Sequence, residues 1–469
     1  MLGKLEAFSN IPEWLSAIAD LDLVARALRD SPAFAATTLT LEEVQIARLR
    51  LKKKGWSGLY RLTVSDQAGT RRNVTLEGTL IVSPGRKPDE SPLSERTWQG
   101  FLPSMRLMLR RLPPDEVLSE LDPLTDPLQA AELLERILRK GQPVYSSLRF
   151  ASCRPTVLRY KPGSRATVLF HLGYAQSDQG RGWPDIVIAK TYKDLRGAAT
   201  YQGMRSLWES HLKDHDLLRL AEPLVYDEDL RILVQGHIPN SGTLRGLIRE
   251  TRRAGTPERI EELDDYVRKT GSALAALHGS RVRVGAPLGF DHELEELGED
   301  LARLTEAAPQ LKSAADRFLA SLTDLAERFP VDPSVSSHGA FRPDQVLVSG
   351  GNVGFVDFDG FCQAEPAFDV AEFLSKLRSV SLTVGKGEDD VVDEAQLPAL
   401  LARADELGDL FLAEYMRHRP LSRERVMVWE GLSLLRRLVD GWAKVKQSRL
   451  HMNIKLMERF LDTHQQIVA

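Results

Sequence analysis

The spacing of apolar residues changes at about residue 240, and this change restricts the fold more than any other feature of the chain. Before it, alternating apolar and polar residues predict strands in two blocks, 44–82 and 156–192, and in the segment ILVQGHIP that ends at Pro239. After Thr243 the spacing is helical, interrupted by one β-like passage at 346–358. Strands followed by a long helical region predict an α+β fold with two lobes.

The first part of the chain has a mixed pattern of its own. Apolar residues three and four positions apart predict helices at 11–28, 98–112 and 128–138. Between the first two, the block 44–82 predicts a β-hairpin with a third strand. This part therefore combines helices with a small antiparallel sheet.

Composition excludes several classes of protein. Of the 469 residues 42% are hydrophobic and 27% are charged, which is typical of globular proteins and unlike fibrous or disordered chains. The 62 basic and 66 acidic residues are well mixed, so nothing favours nucleic acid as a partner. Two distant cysteines, Cys153 and Cys362, suit a reducing compartment, and no signal peptide or membrane span is recognisable. We expect a cytoplasmic protein with neither a nucleic-acid nor a membrane partner.

Residues 337–373, SHGAFRPDQVLVSGGNVGFVDFDGFCQAEPAFDVAEF, carry the most specific motif. They resemble the catalytic core of the aminoglycoside phosphotransferase and choline kinase family, which has an HGDxxxxN loop, a hairpin, a DFD-like motif and a GDPxxDLA-like stretch. His338 and Gly339 match the start of the loop, Asp357 matches the metal-binding aspartate, and AEPAFDVA occupies the last stretch. The resemblance extends from about residue 156 to the C-terminus and implies a protein-kinase-like fold that uses ATP and Mg²⁺.

The resemblance also implies how the chain is divided. Some related sugar kinases carry an N-terminal cap, so residues 1–145 are interpreted as an α/β cap-like region. Residues 146–240 would form the β-rich N-lobe and hinge. Residues 241–469 would form the helical C-lobe with the catalytic-loop and metal motifs.

Upstream residues fit the same resemblance. Lys190, at the end of IVIAK, stands where the family has the lysine that holds the nucleotide phosphates, and Glu209 on the next helix is the predicted ion-pair partner, with Glu222 as an alternative. Gln235 and His237 lie in the predicted hinge strand, against which adenine would lie. The chemistry of the ligand explains why these residue types are needed. A triphosphate with bound Mg²⁺ needs a carboxylate that binds the metal and a cation that binds the phosphates.

The motif departs from the family at two positions. Ala340 replaces the aspartate that accepts the proton of the substrate hydroxyl, and Gln345 replaces the metal-binding asparagine. Glutamine keeps an amide oxygen that can reach a metal, whereas alanine offers no acceptor. General-base catalysis contributes about 10² to 10⁴ in rate, so a slow enzyme remains possible without it.

Other residues of the motif have two interpretations each. Asp344 is either a substitute base or a solvated turn residue, and Asp359 either joins the metal site or caps the loop before Gly360. His338 is predicted to orient the loop through hydrogen bonds to Asp369. Arg342 binds a phosphate or an acidic substrate, or is an exposed loop arginine.

Three functions are consistent with these residues. The first is phosphoryl transfer from ATP to a hydroxyl group of a small molecule, such as a sugar, an aminoglycoside-like compound or a natural-product intermediate. The second is a pseudokinase that binds nucleotide, or nothing, and acts as a scaffold or regulator of a protein partner. The third is transfer of another group, such as a nucleotidyl group, by the same fold. Ala340 is the residue that separates the first two.

Overall fold

The structure is a computed structural model that describes residues 5–53, 55–81, 91–112, 121–161, 165–382 and 395–464. Its N-terminal part contains short helices and an antiparallel sheet with the strand order β1-β2-β3-β5-β4. The bounds are α1 Glu6–Ser9, α2 Glu13–Ser16, α3 Leu21–Arg29, α4 Pro32–Ala35, β1 Thr40–Lys52, β2 Gly55–Ser65, β3 Arg71–Leu80, β4 Gly100–Leu102 and β5 Leu107–Arg111. The predicted hairpin and third strand are confirmed, because β1, β2 and β3 pair in succession.

The helix predicted for residues 98–112 is wrong, because β4 and β5 form there instead. Leu107 and Leu109 are buried as alternate residues of β5, and they pair with Leu80 and Gly78 of β3. The local apolar spacing is compatible with both a helix and a strand. Pairing with β3, which is separated from β5 in sequence, decides between them.

The second part is an antiparallel sheet with the strand order β10-β11-β8-β7-β6. The elements of this part are α5 Leu121–Thr125, α6 Pro127–Gly141, β6 Ser152–Lys161, β7 Arg165–Gly173, β8 Ile186–Thr191, α7 Arg196–Trp208, β9 Leu218–Leu220, β10 Pro223–Asp227 and β11 Ile232–Gly236. The predicted meander, the strand before Pro239 and the helix at 128–138 are confirmed. Helix α6 packs on this sheet, with Leu134 and Ile137 in one cluster with Val168 and Phe170. The division between residues 145 and 146 stays a prediction.

The third part is mainly helical, as predicted. Its helices are α8 Leu244–Ala254, α9 Pro257–His278, α10 Phe290–Ala307, α11 Lys312–Arg328, α12 Pro366–Ser381, α13 Leu397–His418, α14 Arg423–Ala443 and α15 Gln447–Thr463. Its short strands are β12 Gly242–Thr243, β13 Ala286–Pro287, β14 Val335–Ser337, β15 Val346–Ser349, β16 Asn352–Phe355 and β17 Cys362–Ala364. Across the described residues, every helix is too short or too polar to span a membrane. The α+β fold with a β-rich lobe before a helical lobe is confirmed.

The N-terminal part packs on the third part and shares its hydrophobic core. Trp56 and Trp442 are fully buried, and the indole Nε1 of Trp56 donates to the carbonyl oxygen of Trp442 at 3.1 Å. Trp442 Nε1 in turn donates to the carbonyl oxygen of Phe8 at 3.0 Å, and the ring of Phe8 packs edge-on against Phe318 of α11. These contacts join α1, β2, α11 and α14 into one apolar cluster.

Candidate active site

Lys190 is positioned by the alternation of strand β8. Val187 and Ala189 face the cluster beneath α6, so Lys190 projects from the opposite side of the sheet, toward the third part of the chain. Its side chain is 9% exposed, and Nζ donates to Asp357 Oδ1 at 2.8 Å and to Asp359 Oδ1 at 3.3 Å. A buried ammonium requires such partners, because an unpaired charge in this setting is costly.

The two aspartates lie on a short loop that follows the hairpin β15–β16. Asp357 has left-handed backbone angles, φ 71° and ψ 50°, and Phe358 between the aspartates is buried in the core. This arrangement directs both carboxylates to the same place, each with 20% of its side chain exposed. Two residues apart in sequence, they bind the same lysine of the other lobe.

Arg165, the first residue of β7, is a second cation at this point. Its guanidinium forms an ion pair with Asp359 and lies 3.5 Å from Asp357 Oδ1. Burial alone would raise the pKa of Asp357, but the charges of Lys190 and Arg165 hold that pKa well below its usual range. Burial, followed by the carboxylate of Asp359, raises the pKa of Tyr192, whose hydroxyl donates to Asp359 Oδ1 at 2.9 Å.

The side chain of Gln345 indicates whether the residues near Asp357 fit a metal ion. Its Nε2 lies 3.4 Å from Asp357 Oδ2, and its Oε1 is buried without a hydrogen-bond partner among the described residues. An orphaned amide oxygen next to carboxylates is a donor set that suits Mg²⁺, which takes oxygen ligands and retains several waters. The residues therefore fit the predicted ion, although the described residues contain no group of three His, Cys, Asp or Glu side chains that could hold a metal.

The loop that begins at His338 is fixed by the buried carboxylate of Asp369 on α12. That carboxylate accepts hydrogen bonds from the backbone N–H groups of His338 at 2.5 Å and Gly339 at 3.0 Å, and from His278 Nε2 at 3.2 Å. Gly339 has φ 83°, and a Cβ there would lie 1.7 Å from the carbonyl oxygen of Gly360. Only glycine permits this close contact between the loop and the turn that follows Asp359.

The imidazole of His338 is fully buried, and its Nε2 donates to the carbonyl oxygen of Val356 at 3.0 Å. Burial lowers the pKa of His338, so the ring is neutral at pH 7. The ring thus holds the backbone directly before Asp357. This geometry suits an orienting role, with the backbone N–H of His338 making the predicted bond to Asp369.

Further along this loop, Ala340 is partly buried and Asp344 lies on the wall of a cavity. Asp344 Oδ1 accepts from Arg245 Nη1 of α8 at 2.6 Å. Asp344 is therefore an ion-paired residue and not only a solvated turn residue. Among the hydrogen bonds of the described residues, neither Ala340 nor Asp344 bonds to Lys190 or to the two aspartates.

The predicted ion pair between Lys190 and Glu209 is wrong. Glu209 follows the last residue of α7 and is exposed at the surface, where it accepts from Arg205 Nε at 2.7 Å, one helical turn back. Glu222, the alternative partner, is exposed as well. Lys190 takes its partners from the loop after β16.

Gln235 and His237 lie at the predicted hinge. Gln235 is buried in β11, opposite Ile188 of β8, and His237 follows the strand and is partly buried. Burial, with a smaller contribution from His171, lowers the pKa of His237. Their role toward a nucleotide stays a prediction.

Sequence reasoning did not identify Arg165, Tyr192 and Arg245 as site residues. Arg165 ends the sequence KPGSR, which predicts a basic turn between two strands, and that was the available signal. Its partner Asp359 is 194 residues away, so the pairing becomes visible only once the two lobes meet.

Comparison with known protein families gives a match for part of the chain. Residues 207–426 match the family model described as phosphotransferase enzyme family, APH. A search of curated proteins finds no match. The predicted resemblance to the aminoglycoside phosphotransferase and choline kinase family is thereby confirmed.

Solved structures with a similar course of the chain include three kinases. A choline kinase from Cryptosporidium parvum is 10% identical, with a TM-score of 0.48 over 72% of this chain and 97% of that chain. The choline kinase LicA from Streptococcus pneumoniae is 15% identical, with a TM-score of 0.43 over 71% and 99%. A glucosamine kinase is 16% identical, with a TM-score of 0.47 over 98% and 100%.

Proposed function

We propose that this chain is an ATP- and Mg²⁺-dependent phosphotransferase that acts on a hydroxyl group of a small molecule. The contact of 2.8 Å between Lys190 Nζ and Asp357 Oδ1 carries the proposal, because it joins a strand lysine of one lobe to a carboxylate of the other. Phosphoryl transfer depends mainly on positioning the reactants and on neutralising the charge of the phosphates. Lys190 and Asp357 would contribute to both. The family match over 207–426 supports the same reaction class.

Each residue of the cluster has a part in this proposal. Asp357 and Gln345, with Asp359 beside them, would hold Mg²⁺, and Lys190 and Arg165 would face the phosphates. The bound ion would neutralise charge on the transferred phosphoryl group. The two cations and the two carboxylates balance one another in charge.

A second candidate function, a nucleotide-binding pseudokinase that regulates a protein partner, is favoured by one observation. Ala340 cannot accept a proton, and the nearest carboxylate on its loop, Asp344, is engaged by Arg245. If catalysis loses the general base entirely, a typical kinase turnover falls to about 10⁻⁴ to 1 per second. Both candidates bind Mg²⁺-ATP, and only the first transfers phosphate.

Binding of Mg²⁺-ATP is tested first, with Asp357→Asn as the variant. We expect millimolar Mg²⁺-ATP to raise the melting temperature of the wild-type chain, with a stabilisation of about 2.7 kcal/mol at one hundred times Kd. Asp357→Asn should lose the Mg²⁺-dependent part of the shift and still fold, since Lys190 keeps Asp359 at 3.3 Å. Asp324→Asn, on the exposed face of α11, is the matched control.

A wild-type chain that gains no stability from Mg²⁺-ATP would contradict both candidate functions. If binding is present, mass spectrometry of a panel of hydroxylated metabolites incubated with Mg²⁺-ATP separates the two. Phosphorylated product supports the transferase, whereas binding without any product supports the pseudokinase.

A further inference from the structure

A cavity of about 490 Å³ adjoins the catalytic loop and is strongly basic. Arg342 and Asp344 contribute from the loop, Lys376 from α12, Arg437 from α14 and Arg159 from β6 of the other lobe. Of the described residues that line it, eight are arginine or lysine and two are aspartate. For a chain with a net charge of −4, such a concentration of positive charge at one point is a local feature.

The two aspartates do not neutralise the cavity. Asp344 is held by Arg245 at 2.6 Å, and Asp440 accepts from Lys444 Nζ at 2.5 Å, so each already has a cationic partner on the cavity wall. The nearest carboxylate to Lys376 is Glu372, one helical turn away at 3.9 Å. Positive charge therefore remains in excess inside the cavity.

Arg437 contributes positive charge from a buried position in the cavity wall. It is 7% exposed, yet its Nε and Nη2 are buried without a hydrogen-bond partner among the described residues. Leaving buried charged donors unpaired costs free energy. Arg437 lines the cavity, and its planar guanidinium is suited to carboxylate and phosphate.

Lys376 gives a second sign of mutual repulsion. The positive charge of Arg437, and then burial, lower the pKa of Lys376 to about 8. Arg342 of the loop contributes in the same direction. An anion placed among these cations would remove this repulsion, because each cation would gain an opposite charge within reach.

We propose that this cavity binds the anionic group of the acceptor, a phosphate or carboxylate on a molecule whose hydroxyl group is phosphorylated. The inference rests on the proposed function, because it treats the loop at 338–345 as the catalytic loop. Arg342 lies two residues after Ala340 and three before Gln345, which contacts Asp357. The volume suits a small ligand, and the positive charge repels a cationic amine.

The step balances with ATP as the only co-reactant. The acceptor oxygen forms a bond to the γ-phosphorus while the bond from that phosphorus to the β–γ bridging oxygen breaks. ADP leaves with the electron pair of the broken bond, and the hydroxyl proton passes to water, since Ala340 accepts none. The products are the phosphorylated anionic acceptor, ADP and a proton.

Direct binding tests the cavity without ATP. The full-length chain is titrated at low salt with glucose 6-phosphate and gluconate as anionic probes, and with glucose and glucosamine as neutral and cationic probes of similar size. We expect the anionic probes to bind at least about tenfold more tightly than glucose, which corresponds to about 1.4 kcal/mol. Glucose 6-phosphate alone would indicate a phosphate ester, and both anions would indicate an anionic group in general. Both results support the proposal that the cavity binds an anionic group.

Variants show whether the cavity is responsible. Arg342→Gln and Lys376→Met, which are only partly buried, should each weaken binding of the anionic probe about tenfold, and Arg437→Met should weaken it further if it folds. Arg417→Gln, on an exposed face of α13, is the control and should bind as the wild type does. Equal binding of all four probes, or unchanged binding by Arg342→Gln and Lys376→Met, would overturn the inference.

The two proposals fail in different ways. Mg²⁺-ATP binding without anion binding would overturn this inference and leave the phosphotransferase proposal intact. Anion binding without Mg²⁺-ATP binding would overturn the acceptor role together with the proposed function. When both bind, Mg²⁺-ATP should convert the anionic probes, or closely related hydroxylated anions, to phosphorylated products that mass spectrometry detects. Phosphorylation confined to neutral or cationic acceptors would overturn the inference.

Discussion

Ala340 has only a methyl group at the position where the sequence resemblance predicts a proton acceptor. The loop around it is otherwise well ordered by hydrogen bonds, with Gly339 bound to Asp369 before it and Gln345 near Asp357 after it. The framework for a base is therefore present, and only the carboxylate is absent.

We expect Ala340→Asp to raise phosphoryl transfer, by up to about 10²-fold, the low end of what a positioned general base supplies. Single-turnover transfer to the acceptor found in the metabolite panel is the measurement, or slow ATP hydrolysis if no acceptor is found. Ala340→Asn has nearly the same size without a base and is the control. Equal rates for the two variants, with Mg²⁺-ATP binding intact, would contradict a missing base as the limit on rate.

The sequence singled out Lys190 and Asp357, which the fold brings into contact, but it assigned Lys190 a wrong partner. Each of these two residues lies in a local pattern that is visible in the sequence. The ion-pair partner of Lys190 could not be predicted from such a local pattern. Glu209 lies one turn from Arg205 on α7, and nothing in local spacing indicates which face of that helix meets β8. Pairings between lobes depend on how the lobes dock, which is a non-local property.

Helix α12 anchors the loop at 338–345 through a single buried side chain. Asp369 is fully buried and accepts two backbone N–H groups of the loop, while His278 approaches it from α9. His278 Nδ1 also bonds to the hydroxyl of Tyr415 on α13 at 2.8 Å. The loop at 338–345 and α9 therefore meet at the carboxylate of Asp369 on α12, and His278 links this point to α13.

We expect Asp369→Asn to destabilise the chain by about 3 kcal/mol, because it removes a buried charged acceptor and turns an amide N–H₂ toward other donors. Urea unfolding measures this change, and Asp409→Asn, exposed on α13, is the control. Mg²⁺-ATP binding should weaken in parallel, since the loop that carries Gln345 loses its anchor. A variant as stable as the wild type would show that the loop is held by other contacts.

Elements with local signals were predicted better than elements defined by their partners. The meander β6–β8 and helix α6 follow from apolar periodicity, and both are present at the predicted positions. The strands β4 and β5 were predicted as a helix, because their apolar spacing is compatible with both a helix and a strand. Their identity comes from β3, to which β5 is bonded over residues 107–111. The basic cavity was invisible for the same reason, since its wall is assembled from residues scattered between Arg159 and Asn453.

At the scale of the whole molecule, the buried apolar side chains of the described residues form two clusters. The larger one joins the N-terminal sheet to the helices of the third part, with Trp56 and Trp442 at the contact. The smaller one lies between α6 and the sheet of the second part and contains Phe170. Helix α14 links the larger cluster to the basic cavity, because Arg437 and Asp440 precede Trp442 on the same helix.

This arrangement predicts that the N-terminal sheet and the C-terminal helices lose structure together. We expect Trp442→Ala to cost about 3 to 5 kcal/mol, the usual loss for a large buried aromatic side chain. Hydrogen exchange of the full chain should then show faster exchange in both β1–β3 and α11, because their shared core is opened, while β6–β8 keep their protection. Phe170→Ala is the reciprocal control and should loosen β6–β8 and α6 while β1–β3 stay protected. If Trp442→Ala loosened α11 and α14 but left β1–β3 unchanged, the N-terminal region would be stable on its own, and its packing on the helical part would be a contact between independent units.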